Sequence, residues 1–282
     1  MSTPIGSIII AAHDEEAVIA RALRHLCDIA QEGLVDVIVV CNGCRDRTAQ
    51  VAREFSRVRV RELPQASKTA ALREGDRIAV PGPRVYLDAD VEMTGRAAVA
   101  TLRALTDGAL AGRPPRRFET ARAHWSVRRW YAVRERLPSI SGTLWGSGCY
   151  GLSVEGRARF AEFPEVIADD LFIDSLFTMD EVTIIATDAV VVHTPLRPAD
   201  LLMILRRRYR TQEGQWVEAG PGPLSPGQRR QLRDLRALIR REPARIGDVV
   251  VYSAMIVLAR LRARFGPSPR WERDTSSREL SE

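Results

Sequence analysis

Apolar runs and amphipathic stretches alternate along the first ninety residues. Ser7 to Ala12 is a short apolar run, which predicts a buried strand. Asp14-Glu15-Glu16 then opens a helical pattern, with Val18, Ile19, Ala22, Leu23 and Leu26 on one face. Acidic residues suit a first helical turn. Val35 to Val40 predicts a second strand, Asn42-Gly43 a turn and Thr48 to Phe55 a helix. Val58 to Val60, Lys68 to Ala79 and Val85 to Leu87 continue as strand, helix and strand. This rhythm predicts an α/β fold with a mostly parallel sheet and crossover helices.

The remainder is less regular. Helices are expected over Gly95–Thr106, Trp125–Arg136, Val154–Phe160 and Asp169–Phe177, with a loop over Gly112–Arg122 and a Gly/Ser loop over Ser139–Gly151. Val182–Ile185 and Val190–His193 read as strands, and Pro198 begins a basic helix reaching about Glu213. A Pro/Gly linker over Gly220–Gly227 precedes helices near Gln228–Arg241 and Ala244–Arg264, and the polar tail after Pro267 is expected to be disordered. The expected division is a domain over 1–219, with a nucleotide-binding half (1–94) and a second half (95–219), then a helical extension (220–265) and a tail (266–282).

Composition narrows the function classes. With 282 residues, 45% of them hydrophobic, the chain can bury a large core. The net charge of +6 is almost all arginine, Lys68 being the single lysine. Arginines suit phosphates or an anionic membrane face. Their dispersal, without an aromatic-rich RNA motif, argues against a nucleic-acid partner. The apolar stretch Val249 to Ala259 is too short to cross a bilayer. In the helix that contains it, Val249, Val250, Met255, Ile256, Leu258 and Leu261 are apolar nearly all round, which predicts burial. Cysteines stand at 27, 41, 44 and 149, and few cysteines without a secretory signal imply a reducing, cytoplasmic setting. Cys41-Asn42-Gly43-Cys44 could be a redox pair, half a zinc site or a turn after a strand. No second CxxC or His pair accompanies it, which favours the turn.

The most informative stretch is Val85-Tyr86-Leu87-Asp88-Ala89-Asp90. In an extended chain, residues i and i+2 share a side, so Asp88 and Asp90 can converge where the strand leaves its sheet. Two hard oxygen ligands there can hold a divalent cation shared with a diphosphate; a plain acidic turn is the alternative. Neither a GxGxxG nor a Walker A motif is present, which weakens dinucleotide and P-loop readings.

Six segments, in order, carry a resemblance. Ala11-Ala12-His13-Asp14-Glu15-Glu16 is similar to the motif P-x-x-N-E-E, and Asn42-Gly43-Cys44-Arg45-Asp46-Arg47-Thr48 to D-G-S-x-D-x-T. Lys68 with Ala71, Leu72 and Gly75 is similar to G-K-x-x-A-L-x-x-G, Asp88-Ala89-Asp90 matches D-x-D, and Asp169-Asp170 stands in place of E-D. Arg206 to Arg210, followed by Gly214 and Trp216, loosely matches a basic C-terminal motif. The chain thus resembles family 2 glycosyltransferases of the GT-A fold. The resemblance implies an inverting transferase using Mg2+ or Mn2+, taking a sugar from a UDP-, GDP- or dTDP-sugar to a hydroxyl acceptor of glycan, lipid-linked or natural-product type. A peripheral contact at the inner membrane face and a homodimer are both compatible with it.

The same resemblance implies roles. Ala11 and His13 would border the nucleotide, Glu15 would bond the ribose, Asn42 the base edge, and Lys68 the base or diphosphate. Asp90 would ligate the metal, Asp88 would bond the ribose or a metal-bound water, and His193 could add a late metal or phosphate contact. Gly148 lies in a loop lining the donor sugar, Asp169 beside it in the E-D position, and Trp145 could stack on a sugar ring. Arg207 and Arg210, with Arg208, could neutralise the diphosphate. Asp170 is the candidate general base, because displacement at an anomeric carbon needs a carboxylate to take the acceptor proton; capping its helix is the other role open to Asp169 or Asp170. Two rival functions remain: a non-catalytic sugar-nucleotide-binding module, and a sugar-1-phosphate nucleotidyltransferase, which would want a Gly-rich phosphate loop near strand one.

Overall fold

The computed structural model describes residues 3–166, 168–216 and 226–265; the side chains of 210–216, 226–228 and 265 lie outside the described set. The expected Pro/Gly linker falls mostly outside these residues, and the expected disordered tail wholly so.

In chain order the elements are β1 (Ser7–Ala12), α1 (Ile19–Arg24), α2 (Cys27–Gln31), β2 (Asp36–Asn42), α3 (Thr48–Arg53), β3 (Val58–Leu63), α4 (Lys68–Ile78), β4 (Arg84–Asp88), β5 (Val91–Glu92) and α5 (Gly95–Thr106). There follow β6 (Ala111–Arg113), β7 (Arg116–Glu119), α6 (Trp125–Arg134), α7 (Pro138–Ser141), β8 (Cys149–Leu152), α8 (Val154–Arg157), α9 (Asp169–Ser175), β9 (Val182–Ile184) and β10 (Val190–His193). The chain continues through α10 (Pro198–Trp216), α11 (Pro226–Arg241), a 3-10 turn (Pro243–Arg245) and α12 (Ile246–Phe265).

The described residues form two compact units, one within 3–117 and 144–192, the other within 118–143, 193–216 and 226–265. The first holds a seven-stranded sheet in the order β3-β2-β1-β4-β8-β6-β9. Its β3-β2-β1-β4 part is parallel throughout, and β8 runs antiparallel to both β4 and β6. The expected mostly parallel α/β sheet is therefore present. Beside it, β5 pairs antiparallel with β10. β1 and β2 are buried on both faces, as their unbroken apolar runs require. Ile8, Ile10, Val37 and Val39 enter one core layer, whereas Ile9, Ile38 and Val40 enter the other.

Two expected loops are corrected. Residues 112–122 contribute β6 and β7, and residues 139–151 contribute α7 and most of β8. These strands are short and rich in Gly, Arg and Cys, so no local pattern announces them; pairing with β4 makes Cys149–Leu152 a strand. The expected helix from Asp14 instead begins at Ile19, because Glu15, Glu16 and their neighbours bond to the loop after β2.

In the second unit α12 packs on α10 and α6, with Trp130 and Tyr252 stacked at 5.3 Å between centroids. α11 packs on α7, where Ser139 N donates to Asp234 Oδ2 at 2.7 Å. The expectation that α12 is buried all round is corrected: Val249 and Met255 are buried, but Val250 is 62% and Leu261 50% exposed.

Candidate active site

β1, β2 and β4 end side by side, Ala11 pairing with Val40 on one flank and Asp88 on the other. The loops leaving this edge are where open α/β sheets hold ligands. The loops after β1 and β2 are laced together. Asn42 Nδ2 donates to Ala12 O at 2.9 Å, Glu15 N to Thr48 Oγ1 at 2.7 Å and Glu16 N to Asp46 Oδ2 at 3.1 Å. In return Arg45 N donates to Asp14 Oδ1 at 2.6 Å and Arg47 N to Glu16 Oε2 at 3.0 Å. Asn42 is thus buried and spent on a backbone carbonyl in this arrangement. His13 and Glu15 are half-buried beside it, and His13 Nδ1 lies 2.5 Å from Asn42 O.

On the other flank of β1 a charged cluster gathers. Ser67 caps α4 by accepting from Ala70 N at 3.2 Å, which sets Lys68 at the first helical position. Lys68 Nζ stands 2.7 Å from Asp88 Oδ1 and 2.8 Å from Asp169 Oδ1. Buried Asp169 also accepts from Tyr150 OH at 2.8 Å. Asp170 Oδ2 accepts from Gly146 N at 2.7 Å and its Oδ1 from Leu171 N at 2.8 Å. Neither aspartate caps α9: the N-cap is Ala168, and Asp169 turns to Lys68 and Tyr150 instead.

Gly148 closes the cluster. Its carbonyl accepts from Asp88 N at 2.8 Å, its φ is +61°, and a Cβ there would meet Val91 Cγ2 at 2.5 Å and Asp88 Oδ2 at 3.1 Å. Only glycine allows both that backbone and that approach. Lys68, Asp88, Gly148, Tyr150, Asp169 and Asp170 line a small, partly open cavity of about 10 Å3, the room one water-sized particle needs.

The electrostatics follow from gathering three carboxylates, Asp169 buried, around one ammonium. Burial raises Asp170 above the usual carboxylate range, and the Asp169 charge adds to it, against the pull of Lys68. Burial alone would lower Lys68, but Asp169 and Asp88 hold it well above its ordinary value. Burial, with Asp169 beside it, keeps Tyr150 a proton donor.

Asp90 does not follow on the strand. β4 stops at Asp88, and Ala89-Asp90 turn into β5, with Asp90 half-buried. In donor chemistry the pair suits a hard divalent cation: oxygen ligands, a water-sized cavity alongside, and carboxylates outnumbering the one lysine. His193, half-buried at the end of β10, and Arg207, exposed on α10, belong to the second unit. The side chain of Arg210 lies outside the described residues. Tyr150 had no distinguishing signal in the sequence; its partner is nineteen positions away.

The sequence model described as Glycosyl transferase family 2 matches residues 7–151, from β1 through both laced loops and Asp88-Ala89-Asp90 to β8. The chain belongs to that family. Solved structures repeat the fold. A mannosyltransferase from Pyrobaculum calidifontis, in complex with GDP-Man and Mn2+, superposes with a TM-score of 0.63 at 17% identity, over 95% of this chain and 89% of that one. Glucosyl-3-phosphoglycerate synthase from Mycobacterium tuberculosis, in complex with Mn2+, UDP-glucose and phosphoglyceric acid, superposes with a TM-score of 0.54 at 22% identity, over 74% and 78% of the two chains. At such identities the likeness is one of fold. Among curated proteins none matches.

Proposed function

We propose that this glycosyltransferase moves a sugar from a nucleoside diphosphate donor to a hydroxyl acceptor in one inverting displacement. The observation that carries the reading is Asp170, a carboxylate made more basic by burial, beside the Lys68–Asp88–Asp169 cluster at the ligand-binding sheet edge. The acceptor oxygen bonds to the anomeric carbon as the bond to the donor diphosphate breaks, and that electron pair leaves on the phosphate oxygen. The acceptor proton passes to Asp170. Lys68 and Tyr150 hold Asp169 in place beside it. Ala11, His13, Glu15 and the Asn42 loop border the nucleotide. Asp88 and Asp90 would hold a divalent cation, Mn2+ or Mg2+, which supplies positive charge to the departing diphosphate. The complexes of the two solved relatives with Mn2+ and sugar nucleotides support the donor class. Asp170→Asn tests this: transfer should fall about 10^2- to 10^4-fold while donor binding by calorimetry persists. Transfer within a few-fold of the parent would sink the assignment.

A peripheral contact with anionic lipid belongs to the same reading. No helix among the described residues is long and apolar enough to cross a membrane. α12 instead exposes Ile246, Val250, Val257, Leu258 and Leu261, which with Ile239 of α11 line an apolar groove of about 570 Å3. Residues 226–265 carry ten arginines against three acids, an excess larger than the +6 of the whole chain. Two copies of so basic a segment would repel each other, whereas an anionic bilayer satisfies both the apolar groove and the charge.

A further inference from the structure

We propose that His13, Asp14 and Cys44 form a site for a zinc-class divalent transition metal, separate from the Asp88–Asp90 turn. Each offers one ligand atom, and these atoms lie within 4.8 Å of one another. Imidazole nitrogen, carboxylate oxygen and thiolate sulfur suit borderline-soft metals, whereas Mg2+ and Mn2+ favour oxygen sets.

The local hydrogen bonds orient all three groups. Asn42 O can only accept, so in the neutral His13 ring Nδ1, 2.5 Å away, is the protonated nitrogen, which leaves the lone pair on Nε2. That Nε2 lies 3.8 Å from Asp14 Oδ2. A ring N–H donated to a backbone carbonyl is the usual outer support of a metal-bound histidine. Asp14 Oδ1 is held by Arg45 N at 2.6 Å, and Cys44 Sγ sits 3.4 Å from Asp14 N. Asp14 holds a φ of +50°, a left-handed conformation that most side-chained residues avoid.

The sequence points the same way. Where the resembled motifs carry Asn and Ser, this chain carries Asp14 and Cys44. Both departures replace a neutral side chain with one that can ligate as an anion, and the fold brings them together across thirty positions. Cys41 lies against Cys44 but is buried in the sheet core, where burial first and Cys44 beside it push its thiol up to about 12, so it is left out of the ligand set. All three ligands are half-buried, which leaves a path for the metal and room for water as a further ligand. On binding, the Cys44 thiol proton leaves to solvent, and no electron is transferred. The metal would bridge the two loops that the proposed nucleotide site rests on; the ligand geometry itself does not depend on that reading.

The test is a titration of the full chain, stripped with a chelator and dialysed, with Co2+ as the spectroscopic probe. We expect a thiolate-to-cobalt charge-transfer band saturating at one equivalent and displaced by Zn2+. Cys44→Ser should abolish the band, Asp14→Asn should weaken Co2+ binding about tenfold or more, and Cys27→Ser should leave both unchanged. The first two variants install the motif residues, and circular dichroism confirms their folding. Absence of the band, its survival in Cys44→Ser, or unchanged affinity in Asp14→Asn would overturn the proposal. Co2+ bound at Asp88 and Asp90 gives no thiolate band, so failure of this site and failure of the donor-site reading are separately visible.

Discussion

The Lys68 ammonium lies 2.8 Å from the Asp169 carboxylate, joining the first residues of two helices a hundred positions apart in the chain. Asp169 is buried, so it depends on that cation and on Tyr150 for its charge to be tolerated. Lys68 also reaches Asp88 and is therefore the counter-charge around which the site is built.

Lys68→Met should cost about 1–3 kcal/mol of stability in urea unfolding, a value reduced from the fully buried case because Lys68 is partly exposed. The loss should shrink in acid, as the stranded carboxylates take up protons. A variant as stable as the parent at neutral pH would mean that the ion pairs contribute nothing net.

Gly148→Ala should destabilise by about 1–3 kcal/mol, since it forces a side chain into left-handed backbone and against Val91 and Asp88. Displacing Asp88 should weaken donor binding as well. Thermal unfolding and donor calorimetry check both, and an alanine variant with unchanged donor affinity would separate Gly148 from the site.

Transfer by an Asp170 base should show an acid limb above the ordinary carboxylate range, because burial and the Asp169 charge both oppose ionisation. Removing that neighbouring charge in Asp169→Asn should move the limb down. Removing Lys68, which favours ionised Asp170, should move it up. The measurement is kcat against pH in the three proteins, and limbs that coincide would rule out Asp170 as the group observed.

The protein should sediment with vesicles containing phosphatidylglycerol, not with pure phosphatidylcholine, and release as salt rises. Val257→Glu with Leu261→Glu should abolish sedimentation while leaving Tm nearly unchanged, since both side chains are about half exposed or more. A parent that ignores both vesicle types but dimerises in centrifugation would assign the face to a second copy instead.

The sequence by itself determined the strands and helices whose signals are local. β1, α5 and β10 fall on their expected residues, because a continuous apolar run or a 3.6-residue period needs no partner to be read. The same locality made the Asp88-Ala89-Asp90 segment and the pair Asp169-Asp170 legible as site candidates. What only the tertiary structure decided depends on partners distant in the chain. β8 is a strand because β4 lies beside it, and residues 139–151 carry no period that would say so. The faces of α12 differ because α6 and α10 cover only one of them. Tyr150 beside Asp169, and His13 and Asp14 beside Cys44, are juxtapositions made by the folded chain. Local pattern reports which face a residue prefers; only packing reports what that face meets.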